Sequence, residues 1–183
     1  MLDSLSLLVT RQSTPQLCQP APKAKEIETI LAAGMRAPDH GGLTPWHFTV
    51  IQDDGLTVLS NIFLDAVAEN ELSQTKRDKI ANMPFRAPLI IVVSTQYQQH
   101  DKVPEKEQLM AAGCACHAMQ MACVALGYGA MWRTGDLTYN NKVKSALSIE
   151  PHNDIVGFLY IGSKASSQSL KPAKPFEQNV SYL

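Results

Sequence analysis

The sequence predicts an α+β fold, a mixed β-sheet wrapped by helices, and three observations carry that expectation. First, 183 residues, 45% hydrophobic and 18% charged, fit one globular domain over 1–183, because two domains would each be small for an independent core. Second, segments with helical periodicity and segments with strand character alternate irregularly rather than as a strict βαβ series. Third, Leu89-Ile90-Ile91-Val92-Val93 is apolar at every position between Pro88 and Ser94, the mark of a central strand covered on both faces.

The elements follow in order. Leu2, Leu5 and Leu8 recur at helical spacing, so a short first helix ends near Arg11. Pro15 to Lys23 reads as a loop, broken by Pro20 and Pro22. Lys25 to Arg36 is a helix with Ile27, Ile30, Leu31 and Met35 on one stripe, and it stops before Pro38. Asp39-His40-Gly41-Gly42 is a flexible loop, and Trp46 to Gln52 is a strand rich in β-formers. Leu56 to Ala68 has helical periodicity, and the polar stretch from Asn70 to Asn82 is an exposed helix. After the apolar strand come a long helix from about Pro104 to Gly127, a strand near Ala130 to Arg133 and a short helix around Asn141 to Leu147. Ile155 to Ile161 is the last strong strand before a polar tail.

The long helix carries a further expectation. From Gln108 to Trp132 there is no Lys, Arg, Asp or Glu, a length that could span a bilayer. Its content excludes that, since Ala, Gly, Cys and Met dominate and His117 and Gln120 sit in the middle. A helix apolar all round in a soluble chain is buried on every side, and a fold this small can hardly cover it alone. Small residues allow close approach of a second helix, so a homodimer built around this helix is expected.

Composition removes other classes. Sixteen basic and 17 acidic side chains give a net charge of −1, without the basic excess of a nucleic-acid binder. The opening Met-Leu-Asp-Ser carries an acid and no base, unlike a secretory signal. Cys18, Cys114, Cys116 and Cys123 show no framework spacing, and Cys114 and Cys116 point to nearly opposite sides of a helix. The three helical cysteines are read as small apolar core residues rather than a metal site, and the compartment as reducing and cytoplasmic. No Gly-x-Ser-x-Gly elbow, Walker loop or His-Glu-x-x-His is present. Gly127-Tyr128-Gly129 fails as a dinucleotide fingerprint, because it follows a helix and Trp132 takes the third glycine position.

What remains is a set of arginines at element ends. Of five in the chain, three stand in Arg11-Gln12-Ser13, Arg36-Ala37-Pro38-Asp39-His40 and Trp132-Arg133-Thr134-Gly135. A guanidinium grips phosphate bidentately and a hydroxyl adds a neutral donor, so together they point to a phosphorylated ligand. Taken singly, each reads rather as a solvated loop residue or a cap on helix carbonyls. His40 before two glycines is either a donor to a flat ligand or an exposed turn histidine. Pro45-Trp46 reads as a core anchor, and His117 as an interface histidine rather than a metal ligand.

The order of these segments resembles a known family. Arg11-x-Ser13, Gly34 to His40 and Pro45-Trp46-His47-Phe48 look like the start of a flavin-dependent nitroreductase. Phe85 to Ile91, Met119-Gln120-Met121-Ala122, Trp132 to Gly135 and Gly157 to Gly162 extend the likeness, to the short YdjA-like branch, over essentially the whole chain. The resemblance implies an α+β homodimer with one FMN per site at the subunit interface, each site drawing on both chains. It implies NADH or NADPH as electron donor and a nitroaromatic, quinone or similar flat acceptor, reduced in a ping-pong cycle. Arg11 and Ser13 would hold the FMN phosphate and ribityl chain with Gln12 between them. Arg36 and His40 would contact the flavin, and Trp132, Arg133 and Thr134 would line its other side. The nicotinamide would lie near Ala122, Cys123, Val124, Ala125, Leu126 and Gly127. Two departures stand out: family members commonly carry a second Arg at Gln12 and often a Gln at Thr44. The lost charge at Gln12 leaves two other expectations open, a flavin-binding dimer without turnover and a structural dimer with no cofactor.

Overall fold

The computed structural model describes residues 3–68, 71–167 and 169–183. In chain order the main elements are α1 (Ser4–Thr10), β1 (Leu17–Cys18), α2 (Ala24–Gly34), β2 (Trp46–Gln52), α3 (Asp54–Ala66), α4 (Gln74–Ala81), β3 (Leu89–Thr95), α5 (Glu105–Ala125), β4 (Gly129–Arg133), α6 (Asn141–Ala146) and β5 (Ile155–Lys164). Strand β5 is the hub: β3 pairs along one edge, β4 and then β1 share the other, and β2 lies beyond β3.

All of these pairings run antiparallel, which corrects the expectation of mixed strand directions within one chain. The connections explain it. Two helices, α3 and α4, carry the chain out and back between β2 and β3, so it re-enters at the end where it left. The single long helix α5 instead returns the chain to start β4 in the same direction as β3, and β5 separates those two strands.

The apolar run behaves as a two-faced strand, buried at all seven positions of β3. Leu89, Ile91 and Val93 face a layer formed with Ile30 of α2 and with Cys116, Met119 and Cys123 of α5. Ile90 and Val92 face the opposite layer with Leu59 and Phe63 of α3, Val143 of α6 and Phe158. Phe63 meets Phe158 edge to face, with ring centroids 5.3 Å apart. The same alternation runs through β4, placing Ala130 and Trp132 toward α5 and Met131 toward α3.

Helix α5 is buried along one side only. Ala111, Ala112 and Ala115 lie against Trp46, and their small side chains let the helix approach the sheet closely. Gln108 is buried, and its amide is saturated by Gln98 N, Gln98 O and Val103 O at 2.8–3.1 Å. On the other side Met110, Cys114 and His117 are exposed, so one chain leaves part of the helix uncovered, as expected of so small a fold. Cys114 is accordingly not a core residue, unlike Cys116 and Cys123: about 200° of helical rotation separates positions 114 and 116. None of the described helices is long and apolar enough to cross a membrane.

Other boundaries shift by physical detail. The loop after Pro15 contains the two-residue β1, paired with Ser163 and Lys164 at an extended end of β5. His40–Gly42 forms a 3-10 turn with φ of +79° at Gly41 and +65° at Gly42. Leu2 and Asn70 lie outside the described residues; the helix expected from Asn70 begins at Gln74.

Candidate active site

Arg11 directly follows α1, whose described residues are all at least partly exposed, and Gln12 and Ser13 continue into buried Thr14. The Thr14 N–H donates to Ala130 O at 3.0 Å, so the Arg11–Ser13 segment is hung on β4, the strand that ends in Trp132-Arg133. The structure thereby joins the first and third arginine segments through the sheet. Gln12 is already engaged: its Nε2 donates to Ser169 O at 3.0 Å, and its Oε1 accepts from Lys171 N at 3.2 Å. It ties the C-terminal tail beside Arg11 and Ser13.

Trp132 and Arg133 part to opposite faces. The Trp132 indole donates to Val156 O at 3.1 Å and reaches a groove of about 690 Å³ beside α5. Arg36, just past the end of α2, lines the same groove with Ala37, Pro38, Met110 and His117. The Arg133 guanidinium instead lies 5.4 Å from the centre of the Tyr160 ring. Thr134 is exposed at the mouth of that second site.

His40 pairs with a residue that the sequence patterns did not single out. Its Nδ1 is 2.6 Å from Glu107 Oε2 in the first turn of α5, and both side chains are well exposed. The Asp39 carboxylate accepts the Thr44 N–H at 2.6 Å, which helps hold Thr44 at a φ of +51°. Among the described residues no hydrogen bond links Arg36 or His40 to Arg11, Gln12 or Ser13.

The stretch expected near a nicotinamide forms the end of α5 and its cap. Cys123 is fully buried and Ala122 packs on the same core, whereas Ala125, Leu126 and Gly127 are exposed. Burial pushes the Cys116 and Cys123 thiols up to about 12.

The electrostatics single out the arginines. Arg11, Arg36, Arg86 and Arg133 form no ion pair among the described residues, in a chain with 17 acidic side chains. Two buried guanidinium nitrogens, Arg11 Nη1 and Arg133 Nε, have no hydrogen-bond partner at all. Burial, and then the neighbouring charge of Arg86, pulls the Arg133 guanidinium below the usual arginine range. Half-buried guanidinium groups, each with one buried nitrogen unpartnered, on segments joined at one strand suit an anionic ligand, so these residues fit a bound phosphate-bearing cofactor.

Comparison with known proteins shows the family. The model of the nitroreductase family matches residues 8–163. The chain is 45% identical over 162 residues, 88% of each chain, to the Escherichia coli K12 protein named "Putative NAD(P)H nitroreductase YdjA". Among solved structures it superposes on a nitroreductase-like family protein from Bacillus cereus with a TM-score of 0.87, 22% identity and coverage of 100% and 97% of the two chains. A nitroreductase with bound FMN from Bacteroides fragilis gives a TM-score of 0.76 at 22% identity, with both chains fully covered. The chain therefore belongs to the nitroreductase family of oxidoreductases.

Proposed function

We propose that this chain is an FMN-dependent NAD(P)H oxidoreductase, one FMN-binding domain over residues 1–183 that works as a cytoplasmic homodimer on flat electrophilic acceptors such as nitroaromatics or quinones. The observation that carries the reading is the pair of buried, unpartnered nitrogens on Arg11 and Arg133. An unsatisfied buried donor costs about 1–3 kcal/mol, and an anionic cofactor removes that cost. FMN, when bound, supplies the centre that accepts hydride from NADH or NADPH and delivers it to the acceptor in a second half-reaction.

The chain's own residues supply position and charge. Arg11 and Ser13 would hold the phosphate and ribityl chain, with Gln12 keeping the tail against them. Trp132, Arg133 and Thr134 would line the flavin from the end of β4. Arg36 and His40 would contact the flavin from the second loop, each site drawing on both protomers; Arg36 shares a groove with Trp132. Guanidinium charge near the flavin would stabilise the anionic reduced ring. Exposed Ala125, Leu126 and Gly127 at the end of α5 are where the nicotinamide would be met, with Ala122, Cys123 and Val124 behind them. The open face of α5, and Leu5, Leu8 and Val9 on α1, support the homodimer, since each is an exposed apolar surface.

The deciding experiment is the visible spectrum of the purified protein before and after anaerobic addition of NADH and of NADPH. The expected result is a yellow flavin spectrum that bleaches with at least one donor. A flavin that neither donor bleaches would replace the reading with a flavin-binding dimer without turnover. A protein that stays colourless after added FMN would overturn it.

A further inference from the structure

We propose that Arg86 and Arg133 together form an oxyanion-binding site in the cavity above Tyr160, for a phosphate or carboxylate carried on a flat apolar body. The proposal rests on the flavoenzyme reading for its ligands, but not for its geometry.

Arg86 ends a 3-10 turn, Pro84–Arg86, directly before buried Ala87 and strand β3. Arg133 ends β4, on the far side of β5. Tyr160 of β5 sits between those strands, paired with Ile90 on one side and Met131 on the other. The two arginines thus reach one cavity from opposite edges of the hub strand, with Arg133 over the Tyr160 ring. They line a cavity of about 310 Å³ whose other walls include Phe63, Met83 and Leu137, and among the described residues no Asp or Glu lines it.

Among the described residues neither guanidinium has a counter-charge. Arg86 makes no side-chain hydrogen bond or ion pair among the described residues, and Arg133 Nε is buried without a partner. Each charge is felt by its neighbours, since Arg86 lowers the affinity of Arg133 for its proton and both arginines oppose the upward push of burial on Tyr160. Two like charges over an apolar floor repel, and only an anion between them turns that repulsion into binding. The apolar walls select what carries the anion: a free ion leaves them wet, whereas a ring or chain covers them.

Two ligands share this chemistry, the carboxylate of an aromatic acceptor and the phosphate of FMN, which would then sit here rather than at Arg11 and Ser13, and paired probes separate them. Binding of FMN is compared with riboflavin, and turnover of 4-nitrobenzoate with 4-nitrobenzyl alcohol, in wild type, Arg86→Gln and Arg86→Lys. If the flavin phosphate sits here, Arg86→Gln reduces the preference for FMN over riboflavin about tenfold or more. If the acceptor carboxylate sits here, the KM of nitrobenzoate relative to the alcohol rises by about the same factor. In either case Arg86→Lys restores part of the discrimination. Both ratios at wild-type values in a folded Arg86→Gln protein would overturn the proposal.

Calorimetric titration of wild type with benzoate and with inorganic phosphate tests the same site without redox chemistry. Saturable binding that Arg86→Gln weakens about tenfold supports the site even in a protein that takes no flavin. Absence of saturable binding of either probe to wild type, together with unchanged ratios in Arg86→Lys, would overturn it should Arg86→Gln fail to fold.

Discussion

Gly157 shows how closely the site is packed at the residue scale. A Cβ placed there would lie 2.2 Å from the Trp132 Nε1 and 3.0 Å from Arg133 O, so the indole would have to leave its bond to Val156. Gly157→Ala is expected to cost about 1–3 kcal/mol through forced repacking. For a chain of this length that lowers Tm by roughly 2–12 °C, read in a thermal melt. Arg11 makes the opposite kind of prediction. Its buried Nη1 has no partner, so Arg11→Ala should not lower the melting temperature of the flavin-free protein. It should weaken FMN binding roughly tenfold or more in a fluorescence titration, the worth of a charge-assisted bond. An Arg11→Ala protein that keeps wild-type FMN affinity would remove Arg11 from the phosphate site. The buried thiols set a limit in alkali. Cys116 and Cys123 are raised from 9.0 to about 12, so above pH 9 the unfolded chain releases protons that the folded chain retains. Their contribution is complete below pH 9 and is lost as pH rises from 9 toward 12, which denaturant titrations across that window would show as falling stability.

At the scale of elements, α5 decides most of the molecule. Its inner side packs with alanines and cysteines against the sheet, and its amide-bearing Gln108 is fully bonded. Its outer side carries Met110, Cys114 and His117 along a groove that Arg36 and Trp132 share. If a second copy covers that groove, Cys114 is shielded from thiol reagents in the dimer while exposed Cys18 reacts quickly. Cys116 and Cys123 should stay unlabelled in either state, because both are fully buried. Rapid labelling of Cys114 at concentrations where the protein sediments as a dimer would place the interface elsewhere. The His40–Glu107 contact links the glycine turn to the start of this helix, but a side-chain pair so exposed contributes less than about 1 kcal/mol. Its worth is in placing His40 rather than in stability.

Exposed apolar surface among the described residues includes the outer side of α5, Leu5, Leu8 and Val9 on α1, and Phe176 and Tyr182 in the tail. Burying such surfaces is what a second protomer would supply, and the flavin site proposed above requires residues from both. Cys114→Arg is therefore expected to turn a dimer into a monomer of 20.1 kDa in sedimentation and to lose FMN with it. A monomeric variant that still binds FMN at wild-type affinity would show that one chain suffices.

The sequence alone determined what depends on near neighbours. The 3.6-residue period located α2 and α3 within a few residues, the long uncharged stretch located α5, and the unbroken apolar run at Leu89–Val93 identified the two-faced strand β3. The arginine segments were legible because charge and hydroxyl at element ends are local patterns. Tertiary structure decided everything that depends on partners far along the chain. Two-residue β1 has no periodicity to read, and it exists only because β5 offers an edge 145 residues later. Gln12 reads as a lost charge, yet its amide holds backbone 157 and 159 residues away. Arg86 looks like an ordinary loop arginine until β5 brings Arg133 to the same cavity. Periodicity records which face of an element is buried, whereas only the sheet's pairing determines which side chains then share a site.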